Sequence, residues 1–210
     1  MIRIKSALVG ISKMAVVAFA NCVLAVTASA ATTTLDNMQA AFNGESNAHA
    51  RYLAFAAQAD REGYGEVASL FRAAARAEEI HATNHAAVIK EMGAIPQSTI
   101  DAPEVKSTRE NLGTAIKGET YERDTMYPES LKQARADHNR AAVKSLNFAK
   151  TAEEEHAKLY TAELADLDRL KDTKAERFFV CPKCGFTTRE PNFSKCPSCF
   201  TPKEEFEKVA

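Results

Sequence analysis

Two copies of the motif Glu-x-x-His, Glu78–His81 and Glu153–His156, are the part of this sequence best suited to chemistry. Residues three positions apart on an α-helix lie on one face, so each motif presents a carboxylate and an imidazole to the same point. A further glutamate precedes each motif at a similar distance, Glu45 by 33 residues and Glu119 by 34. The repeated spacing predicts that four helices, two with the motif and two with one glutamate each, surround a pair of metal ions.

The single glutamates lie on apolar helical stripes. Glu45 shares its face with Phe42 and Tyr52, and Glu119 shares its face with Ile116. A carboxylate on such a face needs a partner, because burial of an unpaired charge is costly. Oxygen-rich ligand sets with one or two imidazoles suit iron or manganese. One motif alone would indicate a solvated glutamate beside a core histidine, but four matched positions favour a metal site.

Glu122 adds a fifth carboxylate, three residues after Glu119 on the same helix face. It is either a surface acid or a site residue, and we favour the site. An additional carboxylate beside one metal can hold that metal in the oxidised state and release it in the reduced state. Tyr52 and Tyr127 lie near the ligand positions and are either hydrogen-bond partners of ligands or core aromatics. His85, four residues after a motif histidine, is expected to be a core or supporting residue.

The remaining candidate ligands are four cysteines in two C-x-x-C knuckles, which are separated by eleven residues. The knuckles consist of Cys181 with Cys184 and Cys196 with Cys199. Four thiolates at this spacing form a tetrahedral site for iron or zinc. Two disulfides are the alternative in an exported protein. Beside a two-metal redox centre, a one-electron iron relay explains the knuckles better than structural zinc does.

Residues 1–30 have the pattern of a secretory signal peptide. Arg3, Lys5 and Lys13 form a basic region, residues 14–26 are mostly apolar, and Ala28–Ala30 has the A-x-A form of a cleavage site. The apolar run is shorter than the roughly 20 residues that span a bilayer, so no stable membrane insertion is expected after cleavage. An uncleaved anchor, or a lipoprotein modified at Cys22, is the alternative. We expect an exported, periplasmic protein.

The rest of the chain is predicted to be mainly α, with helices over about residues 36–61, 66–91, 107–136 and 138–170. A long crossover, residues 93–107, joins the two helix pairs, which indicates a ferritin-like four-helix bundle over residues 34–171. Residues 176–210 form a small, helix-poor domain around the cysteines. Pro128 is expected to kink the third helix. The formal net charge of −1 gives no electrostatic footprint for nucleic acid.

Over about residues 36–208 the chain resembles rubrerythrin, a ferritin-like di-iron domain followed by a rubredoxin-like domain. The matching segments are Gly44-Glu45-Ser46 with Arg51-Tyr52, Glu78-Glu79-Ile80-His81, Gly118-Glu119-Thr120-Tyr121-Glu122 with Met126-Tyr127-Pro128, Glu153-Glu154-Glu155-His156, and the paired cysteine knuckles.

That resemblance implies a set of metal ligands and a division of roles among them. The implied di-iron ligands are Glu45, Glu78, Glu119, Glu122, Glu153 and His156. His81 is implied to replace Glu122 on one iron when the centre is reduced, which makes these two residues the catalytic pair. The four cysteines are implied to hold a rubredoxin-type iron.

The resemblance also implies an activity and partners. The activity is the reduction of hydrogen peroxide to water, with electrons that arrive through the rubredoxin-like site. The implied assembly is a head-to-tail homodimer, in which the cysteine site of one chain serves the di-iron centre of the other. Two features depart from the family pattern: Phe200 stands where free-standing rubredoxins have glycine, and the export signal implies that a periplasmic redox protein is the electron donor.

Two other functions compete with the peroxidase. The centre can act as a ferroxidase that feeds iron storage or transport, although a store of that kind needs no attached electron relay. Alternatively, the chain is a non-enzymatic metal-binding or sensor module with structural zinc in the knuckles.

Overall fold

Five α-helices build most of the protein, of which the computed structural model describes residues 32–210. The predicted signal peptide, residues 1–30, lies outside the described residues. The helices are α1 (Thr34–Arg61), α2 (Gly65–Glu91), α3 (Thr108–Tyr121), α4 (Tyr127–Ala136) and α5 (Arg140–Asp166). Helices α1 and α2 are joined by a short turn and pack against each other, and α3 and α4 pack against α5. The prediction of a mainly α, ferritin-like bundle is confirmed. Within residues 32–210, no helix combines the length and the apolar content needed to cross a bilayer.

Helix starts follow the capping residues of the sequence. Ser107 caps α3, and its side chain and that of Glu110 each satisfy the other's backbone N–H, which confirms the predicted capping box. The predicted start of the last helix at His138 is two residues early. His138 has a φ of 54°, and Asn139 caps α5 by accepting from the backbone N–H of Ala142 at 2.9 Å.

A π-helical turn, Glu122–Met126, separates α3 from α4 where a simple kink was expected. The backbone N–H of Tyr127 donates to the carbonyl of Glu122, five residues earlier. The wider turn places Pro128 in the first turn of α4, where its missing donor costs least. Such π-turns are common at functional sites, and this one begins at a predicted ligand.

Three amide side chains on one face of α1, namely Gln39, Asn43 and Asn47, fix the crossover between the helix pairs. They follow each other at four-residue intervals and so form a row along the helix. Their partners in the crossover are backbone atoms of Ile95, Thr99 and Asp101, at 2.8, 2.8 and 2.9 Å respectively. The crossover therefore runs along α1 in a defined position.

The cysteine segment forms a three-stranded antiparallel sheet of order β2-β1-β3, with β1 at Phe178–Val180, β2 at Thr187–Thr188 and β3 at Glu207–Val209. This segment packs on the bundle of its own chain. Phe178 is buried in the same core as Phe71 and Tyr160. Arg76 of α2 donates twice to the carboxylate of Glu207, at 2.7 and 2.8 Å.

Phe200 adopts the left-handed conformation that glycine favours, with φ of 63°, immediately after the second knuckle. The residue is 72% exposed. The backbone turn is therefore the one that glycine would make, and it is less favourable for Phe200 because of its Cβ atom.

Candidate metal centres

Two overlapping groups of four buried side chains converge inside the bundle. One group is Glu45, Glu78, His81 and Glu153, and the other is Glu78, Glu119, Glu153 and His156. Within each group the ligand atoms all lie within 4.8 Å of one another. Glu78 and Glu153 belong to both groups, so the two motif glutamates are placed to bridge two metal ions. These residues come from four helices, α1, α2, α3 and α5, as the repeated spacing predicts.

The polar atoms of this cluster fit metal ions better than they fit each other. Within the described residues, buried oxygen atoms of all four glutamates and the Nδ1 atom of His156 have no hydrogen-bond partner. Unpaired buried groups of this kind are costly unless they bind a cation. Burial, and then the carboxylates of Glu153 and Glu78, raise the pKa of Glu45 well above its usual range. Two divalent ions would relieve that repulsion, and the donor set suits iron.

Both motif histidines are oriented the same way. Nδ1 of His81 lies 2.8 Å from Glu78 Oε2 and 3.1 Å from Glu153 Oε1, so it faces the carboxylates. Nε2 of His81 lies 3.1 Å from the carbonyl oxygen of Cys184, and Nε2 of His156 lies 3.0 Å from Thr187 Oγ1. Because a carbonyl only accepts, Nε2 of His81 carries the proton and leaves Nδ1 free as a ligand.

Two tyrosines support the single glutamates from behind. Tyr52 donates to Glu119 Oε1 at 2.5 Å, and Tyr127 donates to Glu45 Oε1. His85 lies 3.3 Å from the Tyr127 hydroxyl and 2.8 Å from Ser145 Oγ through its other ring nitrogen. The tyrosines are therefore hydrogen-bond partners of candidate ligands as well as core aromatics, and His85 extends the network. Burial raises the pKa of both tyrosines, so their hydroxyls stay protonated donors.

Glu122 lies outside both groups, although it was predicted as a ligand. It is partly buried at the start of the π-helical turn and lines a cavity of about 450 Å³ that Arg51 also lines. Burial, followed by the charges of Glu119 and Glu153, raises its pKa well above the usual range. The arrangement in this structure thus has His81 within the cluster and Glu122 beside it.

The four cysteines form a second, separate cluster at the surface of the bundle. All are free thiols, which excludes the alternative of two disulfides in this structure. Cys181 Sγ lies 3.4 Å from Cys199 Sγ, and Cys184 Sγ lies 3.5 Å from Cys196 Sγ. Sulfur atoms around a tetrahedral metal with bonds of about 2.3 Å are about 3.8 Å apart, so the cluster fits an Fe(Cys)4 centre.

The contact between the two clusters is the feature that sequence reasoning missed. The carbonyl of Cys184 and the hydroxyl of Thr187 face the two motif histidines. Gly185, with φ of 75°, lies between them, and a Cβ atom there would overlap the ring of His81. In the sequence, the glycine after the first knuckle was the one sign of a close contact at this place. Its position relative to the cysteines does not identify His81 as the neighbour.

Comparison with known proteins gives consistent matches. The family model described as Rubrerythrin matches residues 36–164. Nigerythrin of Nitratidesulfovibrio vulgaris is 41% identical over 83% of this chain and 85% of its own length. Rubrerythrin-2 of Clostridium acetobutylicum is 37% identical over 83% and 95%. The structure of nigerythrin in its fully reduced, all-ferrous state superimposes with a TM-score of 0.78 at 38% identity, over 88% of this chain and 91% of that one. A bacterioferritin of Desulfovibrio desulfuricans, at 20% identity and a TM-score of 0.63, shares the fold.

Proposed function

The chain belongs to the rubrerythrin family of di-iron proteins, which supports a role in defence against oxidative stress, and on that premise we propose that it reduces hydrogen peroxide to water. The electrons are relayed to the di-iron centre through an iron held by the four cysteines. The observation that carries the proposal is the direct contact between the clusters, where His81 Nε2 lies 3.1 Å from the Cys184 carbonyl oxygen. A redox relay benefits from this close approach of the two clusters, whereas a metal store has no need of it.

The side chains of the bundle hold and orient the metals. Glu45 and His81 would hold one ion, Glu119 and His156 would hold the other, and Glu78 and Glu153 belong to both groups. When bound, the di-iron centre supplies two electrons to peroxide, so that one peroxide and two protons give two waters. The tyrosine hydroxyls hold Glu45 and Glu119 in place.

Glu122 and His81 are proposed to act as the exchangeable pair. His81 occupies the cluster in this structure, and Glu122 lies three residues beyond Glu119 with its carboxylate at the adjoining cavity. Movement of Glu122 toward the cluster would add a negative ligand, which favours the higher oxidation state. Withdrawal of Glu122 in favour of neutral His81 favours the lower one.

The relay geometry is found within a single chain. Arg76 and Glu207 fasten the cysteine segment to α2, and Arg189 donates to Glu66 of α2 and Glu163 of α5. We therefore propose that the cysteine iron serves the di-iron centre of its own chain. The predicted head-to-tail dimer, in which the cysteine iron of one chain serves the di-iron centre of the other, is the competing arrangement and stays a prediction.

The ferroxidase alternative accounts less well for the site. A store needs an iron path and a mineral cavity, and neither explains why the cysteine segment contacts both motif histidines, through Cys184 and Thr187. Structural zinc in the knuckles is the other alternative, since a tetrahedral thiolate site accepts either metal.

Metal analysis and a visible spectrum of the isolated protein, followed by a peroxide titration, test the proposal. We expect iron in both centres, the red absorption of Fe(Cys)4, and reoxidation of the fully reduced protein at about one peroxide per di-iron centre. Zinc in the knuckles, or slow reoxidation without preference for peroxide over dioxygen, would contradict it. Large assemblies with a mineral core would favour the ferroxidase.

The proposal of export rests only on the signal-peptide pattern of residues 1–30. We propose that the protein is periplasmic and that a periplasmic redox protein is its electron donor. The mass of the mature N-terminus and fractionation of expressing cells test this, with cleavage after Ala30 expected and an intact Met1 in the cytoplasmic fraction as the contradicting result.

A further inference from the structure

A cavity of about 450 Å³ opens beside Glu122, between α1 and the crossover segment, residues 93–107. Gly44 and Arg51 line it from α1, and Asp101 lines it from the crossover. Asp101 is exposed, so the cavity reaches the solvent. Glu122 is the one predicted di-iron ligand that lies in the lining and outside both metal-binding groups. The cavity thus connects the surface with the carboxylate proposed to exchange.

The outer wall of the cavity is held in a fixed position. Asn43 and Asn47 are part of the lining, and their amides bind the backbone of Thr99 and Asp101 in the crossover. Asn47 Nδ2 also donates a hydrogen bond to the Thr99 carbonyl at 2.8 Å, which adds to the same contact. The opening is therefore present before any ligand arrives, as is usual for small-molecule sites.

Gly44 is the residue that keeps the inner wall open. It lies inside α1, where glycine is less favourable than alanine. Packing does not require the glycine, because a Cβ atom there would meet nothing within 4 Å. A side chain at this position would instead project into open space at the cavity, one residue before the candidate ligand Glu45. The absence of a side chain therefore has a consequence for the width of the cavity.

We propose that this cavity is the access port of the di-iron centre and that it admits small organic hydroperoxides as well as hydrogen peroxide. The inference rests on the proposed peroxidase function and deepens it. One water molecule needs roughly 10–15 Å³ of such volume, so a cavity of about 450 Å³ is much larger than hydrogen peroxide requires. The guanidinium of Arg51 suits the polar end of such a substrate.

The reaction at the end of the port balances in the same way for both substrates. The O–O bond of ROOH breaks, two electrons come from the reduced di-iron centre, and two protons are taken up from the solvent. The products are the alcohol ROH and one water, and the centre is oxidised by two electrons. Each turnover also consumes two electrons from the external redox protein proposed above, which reach the di-iron centre through the cysteine iron.

A size series at Gly44 tests the port. Reduced protein with Gly44→Ala, Gly44→Val or Gly44→Leu is mixed with hydrogen peroxide or with tert-butyl hydroperoxide, and the second-order rate of reoxidation is measured. We expect both rates to fall as the side chain grows, the tert-butyl hydroperoxide rate first and by about tenfold or more in Gly44→Leu. Gly113→Leu is the matched control, since Gly113 is also helical and open at Cβ but does not line the cavity. Its rates should equal those of the wild type.

A second measurement does not depend on activity. Gly44→Cys and Gly113→Cys are prepared with zinc in the metal sites, and their alkylation by iodoacetamide is compared with that by a bulky polyethylene-glycol maleimide. We expect the bulky reagent to discriminate against Gly44→Cys relative to Gly113→Cys, because Gly44 lies inside a cavity. Equal ratios at the two positions would place Gly44 on open surface and overturn the port.

The outcomes separate the port from the peroxidase itself. If wild type reacts with hydrogen peroxide and Gly44→Leu does so at the same rate, the port is wrong and the peroxidase stands. If wild type fails to react with tert-butyl hydroperoxide beyond the rate of free ferrous iron, the wider substrate class is wrong. If hydrogen peroxide itself fails to oxidise wild type, the proposed function fails, and the alkylation ratio still decides whether the cavity is open.

Discussion

The Nε2 atom of His81 donates to the main-chain carbonyl of Cys184 across 3.1 Å, which joins residues 103 positions apart in the chain. The same imidazole faces Glu78 and Glu153 through Nδ1. One ring therefore touches both clusters, and its protonated nitrogen is fixed by the knuckle. A group proposed to exchange at the di-iron centre is thus hydrogen-bonded to the cysteine cluster that is proposed to deliver electrons. The coupling lies in a main-chain atom, so side-chain substitution at position 184 alone does not remove it.

Substitution of Gly185 should disturb this contact. In Gly185→Ala, the left-handed backbone (φ of 75°) costs about 1–2 kcal/mol, and the new Cβ displaces the ring of His81. We expect electron transfer from the reduced cysteine iron to the di-iron centre to slow roughly tenfold or more, because the donor and acceptor groups are misplaced. Stopped-flow absorbance at the Fe(Cys)4 band measures this step directly.

Gly93→Ala is the matched control for that experiment. Gly93 has φ of 79°, and a Cβ atom there meets nothing within 4 Å. Both variants carry the same backbone strain, and Gly185→Ala should lose more stability in urea unfolding because its Cβ atom also displaces the His81 ring. If Gly93→Ala slows electron transfer as much as Gly185→Ala does, the effect arises from general destabilisation and the contact has no role in the relay.

Mixing two inactive chains should not restore activity. Cys199→Ser removes one of the four cysteines of the proposed relay, and Glu153→Ala removes a glutamate shared by both candidate metal-binding groups. Because the cysteine segment packs on its own bundle, an intact relay and an intact di-iron centre never meet when the two variants are co-expressed and mixed oligomers are isolated. Peroxide turnover with an external donor should stay at the level of each variant alone. Recovery of a substantial fraction of wild-type turnover would show that the relay crosses between chains, as in the predicted head-to-tail dimer.

The local part of the site was predictable, and the contact between its halves was not. The four glutamates and two histidines follow from helical periodicity, which places residues three apart on one face whatever the rest of the chain does. Glu122 is the first residue of the π-helical turn, which ends just before the first turn of α4, where Pro128 lies. Helical propensity does not distinguish such a turn from a kink.

Docking of the cysteine segment was also beyond the sequence. Arg189 lies between Glu66 and Glu163 and over the ring of Phe178, 5.0 Å from its centre. From the sequence alone, each of these residues is predicted to be an ordinary surface charge or core aromatic. Only the close fit of two surfaces selects the pairing, and complementarity of that kind leaves no periodic pattern in the sequence.

The tyrosine hydroxyls of the core should differ in their contribution to stability. Tyr52 donates to Glu119, whereas the Tyr160 hydroxyl is buried without a hydrogen-bond partner in the described part of the chain. Tyr52→Phe leaves a buried carboxylate short of a donor and should cost about 1–3 kcal/mol of unfolding free energy. Tyr160→Phe removes an unpaired group and should change it by no more than about 0.5 kcal/mol. Urea unfolding of the two variants checks this, and equal losses would contradict the assigned hydrogen bond.

Removal of Glu122 should impair turnover more than iron binding. Glu122 lies outside both metal-binding groups, so Glu122→Ala retains the six side chains of the cluster. We expect two irons per bundle by metal analysis but a peroxide turnover reduced at least tenfold, because the exchangeable carboxylate is absent. Glu154→Ala is the control, since Glu154 is exposed on the same bundle and pairs with Lys158 at 3.0 Å. An unchanged turnover in Glu122→Ala would remove the role proposed for this residue.

The buried carboxyl of Glu163 should make the docking of the cysteine segment sensitive to pH. Burial raises its pKa to about 7, despite the opposing charge of Arg189, and the charge of Glu66 adds to the increase. The folded protein therefore binds more protons than the unfolded chain between about pH 4.5 and 7, so the unfolding free energy falls as the pH rises through that range. The Glu163→Gln side chain cannot ionise, so this variant should not show the fall. Relative to wild type, its unfolding free energy should be on the order of 2–3 kcal/mol more favourable at pH 8 than at pH 5.

Glu207→Gln gives the opposite contrast, because the guanidinium of Arg76 lowers the pKa of Glu207, and the stability from that pair is lost as the pH falls. Urea unfolding of the three proteins at matched pH values separates the two signs, and a difference between Glu163→Gln and wild type that does not vary with pH would show that Glu163 titrates normally in the fold.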